Sequence, residues 1–275
     1  MTSRPRLLLF GPGYCGTAIA RAAVASGQDV IAAGRTDFGT AMEALRKATH
    51  LISTVPPDRG GDPILARYGD AVATAPALRW IGYLSATSVY GDRGGATVDE
   101  DSPPAPTNER GERRLAAEYA WEKAAAGRPL DLFRLAGIYG PGRSVFAALR
   151  RGEARRIVKP GHVFGRIHRD DIVAAVLAAM RNPPAGMRVL NLTDDAPAES
   201  AVVIEEAARL LGVPVPPALA FADAYADMSP IARSFWDENR QVLSRKTRTA
   251  LGLAWRYPSY REGLAAILVQ ESGKG

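Results

Sequence analysis

The 275-residue chain has a single cysteine, Cys15, which excludes an internal disulfide. It has three histidines, His50, His162 and His168, too scattered to form a His/Cys ligand set, so no metal is expected. No apolar run approaches the roughly 18 residues that a membrane-spanning helix needs; the longest clean stretch is Ile172–Met180. Near the N-terminus Arg4 and Arg6 precede only Leu7–Phe10, too short for the apolar region of a signal peptide. These absences lead us to expect a cytoplasmic protein with no membrane partner.

The residues that are present make a core. With 47% hydrophobic and 23% charged residues, the chain has more apolar surface to bury than a disordered one. Its length allows one large domain or two modest ones. The net charge of +6 is carried by arginine, 30 of the 35 basic residues. These arginines are spread along the chain. Their local clusters, at Arg110-Arg113-Arg114, Arg150-Arg151 and Arg155-Arg156, have no adjacent aromatic platform, which argues against nucleic acid. A positive field still attracts a phosphorylated cofactor or substrate.

Arg6–Phe10 reads as a buried strand, Thr17–Ser26 as a helix closed by Gly27, and Asp29–Ala33 as a second strand. Further along, Thr40–Ala48, Ile64–Ala73, Glu109–Ala126, Asp170–Arg181 and Ala198–Leu211 read as helices. Interleaved with them, His50–Val55, Leu78–Leu84, Leu130–Leu135 and Arg188–Asn191 read as strands, and Gly91–Thr107 as loop. Strands alternating with helices predict an α/β fold with a doubly wound parallel sheet, and the looser second half predicts a smaller C-terminal lobe.

Gly11-Pro12-Gly13-Tyr14-Cys15-Gly16 matches G-x-G-x-x-G in the place that gives the pattern meaning, after a strand and opening a helix. Gly11 permits the tight turn, Gly13 lets backbone approach a pyrophosphate, and Gly16 lets the helix pack on the strand. A pyrophosphate would rest on the unpaired N–H groups of the helix N-terminus. Cys15 is read as packing beneath the loop. The second strand ends in Ala32-Ala33-Gly34-Arg35-Thr36, with no acid to accept from a ribose 2′-hydroxyl and an arginine placed for a 2′-phosphate. NADP is therefore expected ahead of NAD.

Three further segments complete a resemblance: Tyr83-Leu84-Ser85-Ala86-Thr87-Ser88-Val89-Tyr90-Gly91, Leu135-Ala136-Gly137-Ile138-Tyr139-Gly140-Pro141-Gly142 and Arg166-Ile167-His168-Arg169-Asp170-Asp171. With the glycine loop they resemble the extended short-chain dehydrogenase/reductase superfamily, its NAD-dependent epimerase/dehydratase group, and within that an atypical YeeZ-like branch. The resemblance runs from Arg6 to about Leu264. It implies a Rossmann domain over residues 1–140 and 166–195, with a substrate-binding lobe over 141–165 and 196–275. It implies cofactor contacts from Gly11, Gly13, Tyr14, Cys15, Gly16, Arg35, Thr36, Thr54, Val55, Pro56, Ser85, Arg114, Ala136 and Ile138. Hydroxyls for the chemistry would come from Thr87, Ser88, Tyr90 and Tyr139, and substrate contacts from Arg143, Arg166 and Arg233, the last in a tail segment, Met228–Trp236, expected over the cleft.

The departures from the family are informative. Active members carry Tyr-x-x-x-Lys on the long helix, and Arg110 and Arg114 stand at those positions. Arginine stays protonated, so Arg110 cannot exchange protons near neutral pH. Ala86 stands where the family has serine, and Phe164 where nucleotide-sugar members have arginine. Ser85 and Thr87 should point away from the side that Ala86 faces if the strand runs that far. The span from Arg35 to His50 leaves little room for the strand that usually flanks the adenine. For Tyr90 and Tyr139 the alternative is a packed ring with a bonded hydroxyl. For His168 it is a histidine bonded at a helix start.

Two functions follow. One is an NADP-dependent oxidoreductase or epimerase acting on a small, phosphorylated or sugar-like substrate; the other is a non-catalytic NADP-binding sensor or scaffold. A homodimer is compatible with either. A charge-assisted bond from Arg35 to a 2′-phosphate is worth about 1.5–3 kcal/mol, roughly ten- to a hundred-fold in affinity. Arg35→Ala should therefore weaken NADP by that factor and NAD far less, as read by titration calorimetry; equal losses for both would make Arg35 surface charge only.

Overall fold

In the computed structural model, which describes residues 6–34 and 37–273, the chain runs β1 (Arg6–Phe10), α1 (Tyr14–Ala25), β2 (Asp29–Ala33), α2 (Phe38–Lys47), β3 (His50–Ser53), α3 (Pro63–Thr74) and β4 (Trp80–Ala86). It continues through β5 (Thr97–Val98), α4 (Glu109–Ala125), β6 (Leu130–Leu135), β7 (Gly137–Tyr139), α5 (Phe146–Arg150), β8 (Arg156–Val158), β9 (Arg166–His168) and α6 (Arg169–Arg181). The last part holds β10 (Met187–Leu192), α7 (Ser200–Leu211), β11 (Ala218–Ala220), α8 (Phe221–Tyr225), α9 (Pro230–Trp236), β12 (Gln241–Val242), α10 (Arg245–Leu251) and α11 (Tyr260–Ser272). Arg35 and Thr36, both expected at the cofactor, lie outside the described residues.

Six strands form one parallel sheet in the order β10-β6-β4-β3-β1-β2, the doubly wound arrangement expected. Alternate residues serve opposite faces. Leu7 and Leu9 of β1 join Trp80 and Phe133 beneath α1 and α6. Leu8 and Phe10 join Ile81, Tyr68 and Trp121 beneath α2, α3 and α4. Among the described residues β2 is the edge, so the shortened adenine side read from the Arg35–His50 spacing is reproduced in the sheet order.

Two element boundaries differ from expectation in ways that matter. Helix α1 begins at Tyr14, three residues early, because the backbone turns directly from Gly13 into the helix, with Thr17 N–H on the Gly13 carbonyl. Strand β4 ends at Ala86 and the chain then winds into a short 3-10 turn, Thr87–Tyr90. Strand alternation therefore stops at Ala86, and the inference that Thr87 faces away does not hold. The segment read as loop after Gly91 contains β5, which pairs in parallel with β12 and ties the tail to the mouth of the sheet.

A third apolar cluster, with Phe146, Leu149, Ile204, Tyr260 and Leu264, lies under α5, α7 and α11 and forms the smaller lobe. The sheet and the long helix α4 are joined by a buried ion pair. Arg134 on β6 meets Glu118 on α4 through two bonds, of 3.1 and 2.7 Å, and Ser85 on β4 also donates to Glu118. Both charged side chains are nearly closed to solvent, at 6% and 2%. Removing one partner strands the other charge in the core, which costs about 3–5 kcal/mol. Glu118→Ala should lower urea-unfolding stability by that amount; a loss under about 1 kcal/mol would mean that water replaces the carboxylate there.

Candidate active site

The glycine loop has the geometry its sequence demands. Gly11 sits at φ +85°, and a Cβ there would fall 2.8 Å from both Thr54 Oγ1 and Val55 Cγ2. A Cβ on Gly16 would lie 2.2 Å from the Gly11 carbonyl oxygen, so only glycine lets α1 approach the turn. At Gly13 the same atom meets nothing within 4 Å. Among the described residues no side chain caps α1 at Gly13 and no acid occupies its first turn, so the positive end of the helix is open toward solvent. The open space at Gly13 and the uncapped N–H groups beside it fit a dinucleotide pyrophosphate.

That opening is one end of a cleft of about 700 Å³ across the carboxyl ends of β1, β3, β4 and β6, the side on which open α/β sheets bind ligands. Of the expected cofactor residues, Gly13, Tyr14, Cys15, Thr54, Ser85, Arg114, Ala136 and Ile138 line it. Gly11 and Gly16 act behind it, in the turn. Val55 packs against the core and neither it nor Pro56 reaches the cleft wall, because β3 ends at Ser53 and turns away. A second hollow, about 590 Å³ between β2 and α2, contains none of the loop residues. Cys15 is buried, and burial raises its thiol pKa, so it is packed rather than activated.

Thr87 and Ser88 both line the cleft. Ser88 is 5% exposed, and its hydroxyl oxygen is buried with no partner. Ser85 also reaches the wall, but its hydroxyl is committed to Glu118. Helix α4 supplies the opposite wall. Its first turn is pressed onto the 3-10 turn, since a Cβ on Gly111 would lie 2.7 Å from the Ser88 carbonyl oxygen. Arg110 and Arg114 enter the cleft from that helix. Arg114 donates to the Tyr83 hydroxyl at 2.8 Å and to the Leu84 carbonyl at 3.1 Å.

Both tyrosines proposed for chemistry are engaged elsewhere. Tyr90 is fully buried, donates to Asn191 Oδ1 at 2.8 Å, and lies under the Arg134 guanidinium. Tyr139 reaches the cleft with its ring, but its hydroxyl donates to the Ser259 carbonyl at 3.3 Å and lies against Gly263. Burial raises both phenol pKa values, Tyr139 strongly. His168 caps α6 by accepting from Asp170 N–H, and burial lowers its pKa to about 4.

The tail does cover the cleft. Ala232, Phe235 and Trp236 of α9 line it, as do Glu238 and Arg240, which the sequence reading missed. The signal was faint: only the proximity of two charges to an aromatic pair. Arg233 points the other way, donating to the Tyr225 and Ala226 carbonyls, so it holds α8 to α9 instead of meeting a substrate. Arg143 and Arg166 stand where the cleft opens into a side pocket of about 360 Å³ bounded by Val145, Val203, Ile204 and Leu264.

Three comparisons with known proteins set this site in context. No family model matches the chain. Protein YeeZ of Escherichia coli K12 is 33% identical over 182 residues, a stretch that spans 64% of this chain and 64% of YeeZ. A solved structure of a functionally unknown conserved protein from Silicibacter pomeroyi is 42% identical, with a TM-score of 0.87 over 97% of this chain and 99% of that one. MoeE5, solved with UDP-glucuronic acid and NAD, shares the fold at 21% identity and a TM-score of 0.80, over 98% and 100% of the two chains. The chain is thus similar to YeeZ over less than two thirds of that protein's length, and it has the doubly wound Rossmann-type fold of these solved structures. Among the described residues no helix is long and apolar enough to cross a membrane.

Near the side pocket Asp194 is 2% exposed and its Oδ2 has no partner. Burial pushes its pKa from 3.8 up to about 7, against the Ala196 N–H and the charge of Arg166. The folded chain thus holds this proton more tightly than the unfolded chain, so the contribution is intact below about pH 4 and is lost as pH rises toward 7. Asp194→Asn keeps the neutral form. Its urea midpoint should gain on wild type from pH 5 to 7 and level off by pH 8; a constant difference would place the titration elsewhere.

Proposed function

We propose that this chain binds a nicotinamide dinucleotide, NADP ahead of NAD, and carries out oxidoreductase or epimerase-type chemistry on a small molecule. The observation that carries this reading is continuity: the uncapped start of α1 and Ser88, whose buried hydroxyl has no partner, line one cleft. The dinucleotide would lie on Gly13, Tyr14 and Cys15, cross Thr54, and meet Arg114, Ala136 and Ile138 toward the sheet's centre. Bound there, it supplies hydride exchange. The residues that build the sheet, 1–140 and 166–195, form the dinucleotide part, and 141–165 with 196–275 form the substrate lobe.

The chain's own groups bind and polarise more readily than they move protons. Ser88 and Thr87 are neutral donors at the floor of the cleft, suited to charge developing on a carbonyl oxygen. Arg110, in place of a phenol, is a fixed cation. MoeE5 was solved with a UDP sugar, but Phe164 replaces the arginine that the family resemblance leads one to expect in nucleotide-sugar members, which favours a smaller substrate here. The engaged hydroxyls of Tyr90 and Tyr139 favour a second reading, a dinucleotide-binding protein without turnover.

Dinucleotide binding is common to both readings and is tested first. Gly13→Val places a side chain in the open space at the start of α1, where it blocks a pyrophosphate without touching the core. Titration calorimetry should show NADP affinity falling more than tenfold while the circular dichroism melt stays within a few degrees of wild type. Unchanged affinity in the folded variant would remove the phosphate-loop reading.

A further inference from the structure

Five arginines line the cleft; three are hydrogen-bonded and a fourth, Arg143, is exposed at its mouth. Arg240 pairs with Glu238 at 2.7 Å, Arg114 bonds Tyr83 and Leu84, and Arg166 donates to the carbonyls of Phe164 and Ala198. Arg143 lies over the Tyr14 ring. Arg110 differs. Among the described residues no hydrogen bond or ion pair holds its guanidinium, which rests 4.2 Å over the Phe235 ring. Burial, and then the neighbouring Arg114, hold its pKa below the ordinary guanidinium value, with Glu238 opposing.

The nearest carboxylate does not answer this charge. Glu238 is 7% exposed and already accepts from Thr107, Asn108 and Arg240. The residue after Arg110, Gly111, is pressed onto the Ser88 backbone, and Arg110 and Ser88 both line the cleft. A part-buried cation with free donors and a residue whose buried hydroxyl has no partner therefore line one cleft. The cost of leaving such groups unpaired is recovered when a ligand supplies acceptors.

We infer that Arg110 and Ser88 form an anion site for the substrate, and that the substrate is a carboxylic acid whose carboxylate they hold. This rests on reading the cleft as a substrate site. Arg240 is neutralised by Glu238, and that carboxylate beside Arg110 makes the site a better match for a monoanionic carboxylate than for a phosphate dianion. The rest of the acid lies along an aromatic wall of Phe164, Phe235 and Trp236, all of which line the cleft.

The probe is 3-phenylpropionate, compared with 3-phenylpropionamide and inorganic phosphate, by titration calorimetry at pH 7 on the full chain with and without saturating NADPH. Wild type should bind the acid at least tenfold more tightly than the amide or phosphate. Arg110→Gln should weaken the acid by about ten- to a hundred-fold and erase its advantage over the amide, while NADPH affinity changes less than twofold; Arg110→Lys should keep part of the preference. Equal binding of acid and amide by wild type, no binding of the acid, preference for phosphate, or an Arg110→Gln variant that binds the acid as wild type does would each overturn the inference. Should Arg110→Gln fail to fold, the wild-type comparison and Arg110→Lys decide it. A chain that fails to bind NADPH yet prefers acid over amide counts against the dinucleotide reading and leaves the carboxylate site standing.

Discussion

The position of helix α4 depends on the buried contact between Glu118 and Arg134. A carboxylate and a guanidinium are removed from water together, and that is tolerable only with several well-formed bonds. Here Arg134 gives two, Ser85 adds a third to the same carboxylate, and the far face of the guanidinium lies on the Tyr90 ring. Tyr90 in turn bonds Asn191 on β10, and the Asn191 N–H reaches Thr247 of α10, which bonds Glu100. One polar network therefore fixes α4, three neighbouring strands, the loop after β4 and the tail helix in register. Such a network specifies arrangement more than it adds stability.

That register places the first turn of α4 on the 3-10 turn after β4. Gly111 removes the side chain that would hold them apart, and Asn108 caps the helix while also meeting Glu238 from the tail. The wall carrying Arg110 and Arg114 is set by contacts of Asn108, Gly111 and Glu118, not by the Arg110 side chain. A change of identity at Arg110 can alter what the cleft binds without disturbing how the cleft is built.

The glycine loop, the alternation of strands with helices and the long helices were legible in the sequence because each is local: a turn needing φ above zero, a run of alternating burial, a cap. The direction of Tyr90 and Tyr139 was not. Both follow strand ends on the ligand side, yet one hydroxyl is drawn to Asn191, about a hundred residues on, and the other to Ser259 on the tail. Thr87 was misdirected by strand alternation, which a 3-10 turn ends at Ala86. The segment around α9 was read as a cover, and it is one, but Arg233 anchors it from behind while Phe235, Trp236, Glu238 and Arg240 face the cleft. Asp194 carried no sequence signal; its raised pKa arises from burial between β10 and the smaller lobe.

A guanidinium such as that of Arg110 contributes to a cleft differently from a phenol. A phenol of ordinary pKa gives and recovers a proton; a guanidinium does neither at neutral pH, but it holds a negative charge at fixed distance. The candidate proton carriers nearby are poorly suited to the task. Burial raises the pKa of Tyr139, Tyr90 and Cys15, and His168 is pushed down to about 4 with its Nδ1 engaged at the start of α6. Any proton delivered at this site then comes through water or a hydroxyl chain ending at Ser88 or Thr87. Chemistry that needs a hydride and an oriented, polarised substrate is compatible with that set of groups. Chemistry that needs a strong base at the substrate's carbon is not, unless the substrate brings its own.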